Sequence, residues 1–326
     1  MSYLASHGKE LEQKLIQEAK ALLKEHKANL VIGFEAGSLK FTTSPLITDD
    51  INALDKLVIN PFIVNNLANF LVGLKGRIAI VAKGCDSRSI VSLIQDNKVK
   101  REDLVIIGVP CSGMVDLFKI ENLAGYDRDQ ITDIILNNSM VSIIVNGDSK
   151  EVSFKEVLFD CCLGCELATP KEYDILLGEQ VKPIGEREPS LKSIKELKTK
   201  SPQERWHFWQ QQFERCIKCY ACRNVCPACY CQRCFVEESE PQWLLPMPLW
   251  QDNLMFQIVR NIHMAGRCTD CGECQRSCPS GIPLRSLTKD MYDLVGDLFD
   301  FKSGIDKEQQ PLLTSYEAEE AEGLFL

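Results

Sequence analysis

Apolar residues recur at helical spacing near the start of the chain. Leu11, Leu15, Ala19, Leu22 and Leu23 share one face, which predicts an amphipathic helix. Short apolar runs follow: LVIGF at 30–34, RIAIVAKG at 77–84, DLVIIGV at 103–109 and MVSIIVNG at 140–147. Each is rich in β-branched residues, bounded by turn signals and too short for a buried helix, so each predicts an interior strand. Helical stretches between them, such as SRSIVSLIQ at 87–95, predict βαβ units. The pattern therefore predicts an α/β domain with a mixed or parallel sheet over residues 1–178.

The texture then changes. Residues 179–202 (EQVKPIGEREPSLKSIKELKTKSP) are polar and punctuated by proline, and predict a linker. A helix follows, with Ser201 as N-cap, Pro202 at its first position and Glu204 closing a capping box. Trp206, Trp209 and Phe213 fall on one face of it, as packing residues. Two cysteine runs lie between 215 and 287, separated by a helix whose apolar positions include Leu254, Ile258 and Ile262. This predicts a small α+β domain over 203–290 and a tail over 291–326, ending in the acidic, solvated YEAEEAEGLFL.

Composition narrows the function classes. The net charge of −9 and the lack of a basic stripe exclude a general affinity for nucleic acid or anionic lipid. No apolar run approaches the roughly 20 residues that span a bilayer. The first residues are charged and periodic, without the h-region of a Sec signal, so the expectation is a cytoplasmic protein. Sixteen cysteines in such a chain point to metal ligation rather than to disulfides.

Their spacing supports this. Cys216, Cys219, Cys222 and Cys226–Pro227 read C-x2-C-x2-C-x3-C-P, and Cys268, Cys271, Cys274 and Cys278–Pro279 repeat it. In two-cluster ferredoxins the first three thiolates of such a run hold one 4Fe-4S cluster and the fourth crosses to the other. The pattern thus assigns Cys216, Cys219, Cys222 and Cys278 to one cluster, and Cys268, Cys271, Cys274 and Cys226 to the second. Zinc would also accept paired C-x2-C elements, but has no use for the third cysteine or the proline. Cys229, Cys231 and Cys234 lie outside the rule, either as ligands of a further centre or as buried free thiols.

Five cysteines lie upstream: Cys85, Cys111, Cys161, Cys162 and Cys165. Cys85 and Cys111 sit just past predicted strands, where an α/β sheet offers its ligand crevice, and the others form DCCLGCE. IAIVAKGCDSRSIVSLIQ followed by LVIIGVPCSG resembles the paired cysteine segments of the beta subunits of deazaflavin-reducing hydrogenases and formate dehydrogenases. CLGCELATPKEYDILLG (162–178) is similar to that family's C-x2-C with Tyr173, Asp174, Ile175 and Gly178 following at the family spacing. The resemblance covers roughly residues 55–180. It implies one 4Fe-4S cluster on Cys85, Cys111, Cys162 and Cys165, and an FAD exchanging electron pairs with a deazaflavin or nicotinamide coenzyme. The chain departs from the family where a glycine pair is usual, with Asn65–Asn66 in NPFIVNNLANFLVGL (60–74), and GFEAG at 33–37 is too short for a flavin fingerprint.

Asp86, Ser87 and Arg88 read equally as a helix start or as hydrogen-bonding neighbours of a cluster, and Arg88 also as an anion holder. His263 reads as a helix-face residue packed near a cluster. With no catalytic triad, no P-loop and four histidines in all, the expected function is electron transfer. The chain would be a subunit of a cytosolic anaerobic oxidoreductase complex of the hydrogenase, formate dehydrogenase or heterodisulfide-reductase kind, relaying electrons through three 4Fe-4S clusters between other redox subunits. The alternatives are a free-standing flavoenzyme acting on its own coenzyme and a structural zinc-binding module.

Overall fold

The structure, a computed structural model, describes residues 8–137, 139–186 and 190–314; the acidic end at 316–326 lies outside the described residues. Two compact units emerge, one of residues up to 87 with 101–192, the other of 88–100 with 193 onward. No helix among the described residues is long and apolar enough to cross a membrane.

In the first unit, α1 (Gly8–Lys24) buries the predicted face of Leu11, Leu15, Ala19, Leu22 and Leu23. The sheet comprises β1 (Leu30–Ala36), β2 (Thr43–Thr48), β3 (Ile78–Ala82), β4 (Leu104–Gly108) and the two-residue β8 (Ile175–Leu176), in the order β2-β1-β3-β4-β8. Only the edge strand β2 is antiparallel. β3 and β4 are buried along their whole length, the continuous apolar strands of a covered parallel sheet. From β3 the chain enters α2 (Gly84–Gln95) through Gly84, where a Cβ would lie 1.7 Å from the Leu167 carbonyl oxygen. Only glycine allows that approach.

MVSIIVNG does not join this sheet. It forms β6 (Met140–Val145), between β5 (Ile131–Asn137) and β7 (Asp148–Ser153) in a separate antiparallel sheet. The reason lies in its last two residues: Asn146 and Gly147 take φ values of 51° and 91°, the two-residue turn that closes a tight β-hairpin. Ile131, Val141 and Ile143 pack there with Ile120 of α3 (Leu117–Ala124) and with Val115 and Val157. The DCCL segment makes the single-turn helix α4 (Asp160–Leu163).

The second unit is helical: α5 (Lys192–Lys198), α6 (Pro202–Glu214), α7 (Ala221–Asn224), α8 (Trp250–His263), α9 (Glu273–Arg276) and α10 (Arg285–Phe299). α5 and the start of α6 occupy the segment read as a linker, and α10 runs through position 290, where a tail was expected. The capping box of α6 is present, with Ser201 N–H donating to Glu204 at 2.8 Å. Trp209 stacks on the buried Phe213 at 5.6 Å, and Trp206 meets Trp250 edge-on.

α8 is the expected helix, but of its named apolar positions only Leu254 packs on the core. Ile258 and Ile262 are 45% and 52% exposed, whereas Asn253, Phe256, Gln257 and Arg260 are buried. The helix faces loops rich in carbonyls and thiols, which polar donors satisfy and isoleucine would not.

Residues 88–95 of α2 belong to this unit. Arg88 donates to the Ser303 carbonyl at 3.1 and 2.8 Å, the Thr269 carbonyl at 3.3 Å and the Tyr292 hydroxyl at 3.1 Å. Those bonds commit its guanidinium to structure rather than to an anion.

Candidate metal centres

The two cysteine runs fold alike. In each, the second and fourth residues after the first cysteine are left-handed: Lys218 and Tyr220 at φ 57°, Asp270 and Gly272 at 53° and 73°. Three of the four are not glycine, a local strain of the kind concentrated at functional sites. The strain has a use, since Lys218 N–H donates to the Cys216 sulfur and Asp270 N–H to that of Cys268. One helical turn follows in each run, α7 starting on the Tyr220 carbonyl and α9 on that of Gly272.

Cys216, Cys219, Cys222 and Cys278 line one cavity. Cys226, Cys268, Cys271 and Cys274 line a second. These are the two sets grouped by the ferredoxin rule, including the crossed fourth cysteines. A zinc ion needs four sulfurs and no proline, whereas each set here joins three closely spaced thiols of one run to the fourth, proline-flanked cysteine of the other, which fits a cluster.

Burial pushes the thiols up, Cys268 to about 12, Cys271 well above the ordinary value, and Cys216, Cys222 and Cys274 less far, while Cys226 is held well above it first by its hydrogen bond to Cys229 and then by burial. Binding iron must therefore displace their protons. Helix α8 supplies the compensation. Asn253 donates to the carbonyls of Phe213 and Cys216 at 3.1 and 3.0 Å, and Gln257 to the Cys222 sulfur at 3.5 Å. Arg260 donates to the Cys222 carbonyl at 3.1 Å. Its buried charge favours the thiolate forms of Cys222, Cys226 and Cys274, and so serves both sets. Below them, Arg285 grips Asp270 by two bonds of 2.7 Å and so holds the left-handed turn.

In the first unit Cys85 opens α2 and Cys111 follows β4. Gly113 N–H donates to the Cys111 sulfur and Met114 N–H to that of Cys162, both at 3.4 Å. The Cys161 thiol bonds that of Cys162 and lies within electrostatic reach of Cys111. Cys165 follows one turn on, its N–H on the Cys162 carbonyl at 3.3 Å. Cys111 N–H donates to the Ala168 carbonyl at 2.8 Å, tying the thiol loop to the strand end.

Beside them stands a fully buried ion pair, Lys83 Nζ to Asp86 Oδ2 at 2.9 Å. Asp86 also accepts the Lys83 N–H at 2.9 Å, so it closes the helix start and holds the cation next to Cys85 and Cys111. Ser87 bonds the Glu172 carbonyl at 3.1 Å. Asp174 accepts Ile106 N–H at 2.7 Å and Arg101 at 2.8 Å, a structural task at the sheet edge.

At the position of the family's glycine pair, the Asn66 side chain accepts Ala68 N–H at 3.2 Å, and the Asn65 carbonyl accepts Lys83 Nζ at 2.8 Å. His263 lines a third cavity together with Cys229, Cys231 and Cys234.

Lys83, Asn253, Gln257 and Arg260 escaped the sequence reading. The last three had a signal: polar residues at i, i+4 and i+7 in the helix between the two cysteine runs.

Residues 212–282 match the family described as 4Fe-4S dicluster domain. The F420-dependent formate dehydrogenase subunit beta of Methanocaldococcus jannaschii is 26% identical over 296 residues, covering 72% of this chain and 76% of that protein. The F420-dependent formate dehydrogenase 1 subunit beta of Methanococcus maripaludis is 25% identical over 294 residues, covering 73% and 75%. Among solved structures, a chain of the F420-reducing NiFe hydrogenase complex from Methanosarcina barkeri aligns with a TM-score of 0.39 and 12% identity, over 56% of this chain and just 66% of that one. The chain thus contains a 4Fe-4S dicluster domain and, over nearly three quarters of its length, resembles the beta subunits of F420-dependent formate dehydrogenases.

Proposed function

We propose that this protein is an iron–sulfur relay subunit of an oxidoreductase complex. The observation that carries the reading is the sorting of eight cysteines into two sets of four around two cavities, with the buried Arg260 serving thiols of both. Cys216, Cys219, Cys222 and Cys278 hold one 4Fe-4S cluster, and Cys226, Cys268, Cys271 and Cys274 the other. A third is held in the first unit by Cys85, Cys111, Cys162 and Cys165. A bound cluster supplies reversible one-electron oxidation and reduction. The chain's own residues fix its potential: Lys218, Asp270 and Gln257 donate to ligand sulfurs, and Arg260 and Lys83 offset the negative charge of the thiolates.

On this reading the electrons pass between formate or F420, a deazaflavin, and neighbouring subunits, in the reducing cytoplasm where free thiols persist. Similarity to the formate dehydrogenase beta subunits supports those ends of the relay. The test is anaerobic purification followed by iron, sulfide, zinc and flavin analysis and electron paramagnetic resonance of the reduced protein. The expected result is the spectrum of two interacting 4Fe-4S clusters, with about twelve irons from the three sites together. Zinc in place of iron, or fewer than about eight irons, would overturn it. Stoichiometric flavin with coenzyme reduction by the chain alone would turn the assignment to a self-contained flavoenzyme.

A further inference from the structure

Three cysteines of the second unit remain after the ferredoxin rule is applied, and the fold gathers them. Cys229, Cys231 and Cys234 line one cavity of about 450 Å³ in the second unit. Their spacing, C-x-C-x2-C, follows directly on Cys226–Pro227. Two other side chains on that wall are of metal-binding type, Glu237 and His263. Glu237 is committed elsewhere: one carboxylate oxygen accepts Cys234 N–H at 3.0 Å and the other pairs with Arg223 at 2.9 Å. That leaves the His263 imidazole, at the last residue of α8, as a fourth ligand.

The cavity is also suited to negative charge. Arg223, Arg260 and Arg267 line it. Arg267 is paired with the buried Asp96 at 3.0 Å and Arg223 with Glu237. Arg260 is 4% exposed, and its Nε has no hydrogen-bond partner. Arg260 bonds the Cys229 thiol, so a buried guanidinium charge stands beside the first of the three thiols and suits a thiolate-bound cluster, which is anionic.

The three sulfurs line this cavity as the two dicluster sets line theirs. Ala228, Arg260, Met264 and Arg267 line both this cavity and the one ringed by Cys226, Cys268, Cys271 and Cys274. Cys231 is exposed.

We propose that Cys229, Cys231, Cys234 and His263 hold an additional iron–sulfur cluster, which extends the relay from the second dicluster site to the protein surface. The proposal rests on the dicluster reading above and adds a centre to it.

The test uses the full chain purified anaerobically, as wild type, as Cys231→Ala/Cys234→Ala and as His263→Cys. Cys229 is left in place because it touches the ligand Cys226. The expected result is about four irons per chain more in the wild type than in the double variant. The interacting-cluster resonance persists in both, and His263→Cys shifts the g-values of the one signal that the double variant lacks. Equal iron in wild type and double variant, with the dicluster resonance intact, would overturn this inference alone. One zinc lost with the two cysteines would also overturn it. Absence of the dicluster resonance from the wild type would instead overturn the relay reading on which it stands.

Discussion

Lys83 and Asp86 offer a sharp test of how the first unit supports its thiols. Both side chains have no exposure, and Nζ lies 2.9 Å from Oδ2. Lys83 also donates to the Asn65 carbonyl at 2.8 Å and sits 4.5 Å from the centre of the Phe34 ring. Lys83→Met would leave the Asp86 carboxylate buried without a counter-ion, and its Oδ1 already lacks a hydrogen-bond partner. Breaking a buried pair from one side costs about 3–5 kcal/mol, a large share of the 5–15 kcal/mol typical of a domain. Lys83→Met/Asp86→Leu removes both charges and should regain most of that, less about 1 kcal/mol for the lost closure of the helix start. All four tryptophans lie in the second unit, so unfolding in urea must be followed by far-ultraviolet circular dichroism as well as by fluorescence. The loss should appear in the dichroism transition and spare the fluorescence one. If the single variant unfolds within 1 kcal/mol of wild type, or the double variant is no more stable than the single, the pair does not matter as argued. The pH dependence gives a second reading. Burial alone would lower the lysine, but Asp86 and the nearby thiols outweigh it and raise it. Its contribution is therefore fully present below the unfolded lysine value of about 10.4 and fades as pH rises above that through the folded value.

Two further substitutions separate the centres. Arg260→Leu should lower the potentials of both dicluster centres. At an effective permittivity near 20 a unit charge contributes about 4 kcal/mol at about 4 Å and less farther out, so the expected shift is on the order of 100 mV for one electron. A redox titration followed by paramagnetic resonance checks it, and unmoved potentials would show that the guanidinium only packs. Gly84→Ala should push Leu167 away from the start of α2, destabilising the first unit by about 1–3 kcal/mol and stripping iron from its cysteines while the dicluster resonance persists. Full iron content in that variant would show that the 165–168 loop does not position the ligands.

How far all this was readable from the chain depends on whether the signal is local. The face of α1 is set by one helix against one apolar layer, so periodicity alone found it. The two C-x2-C-x2-C-x3-C-P runs are read the same way, because their spacing is the local geometry of a loop that encloses a cluster. α8 is the helix the sequence predicts, but the face it buries was not legible, for a physical reason. Hydrophobic periodicity presumes an apolar partner, and this helix packs against carbonyls and thiols, so Asn253, Gln257 and Arg260 turn inward and Ile258 and Ile262 outward. MVSIIVNG is the interior strand its apolar content predicts, but the Asn-Gly pair that ends it selects a hairpin and so places it in a separate antiparallel sheet, which apolar content alone does not disclose. The split of α2, whose residues from 88 onward bond Thr269, Tyr292 and Ser303, was beyond local reading altogether, since its partners lie about two hundred residues away. Lys83 combines both cases. A lysine inside an apolar run reads as a strand end, and only the fold reveals that Asp86, three residues on, permits its burial beside two thiols. Where a chain carries many cysteines, then, the polar residues that interrupt apolar patterns next to them are the ones to suspect of facing inward.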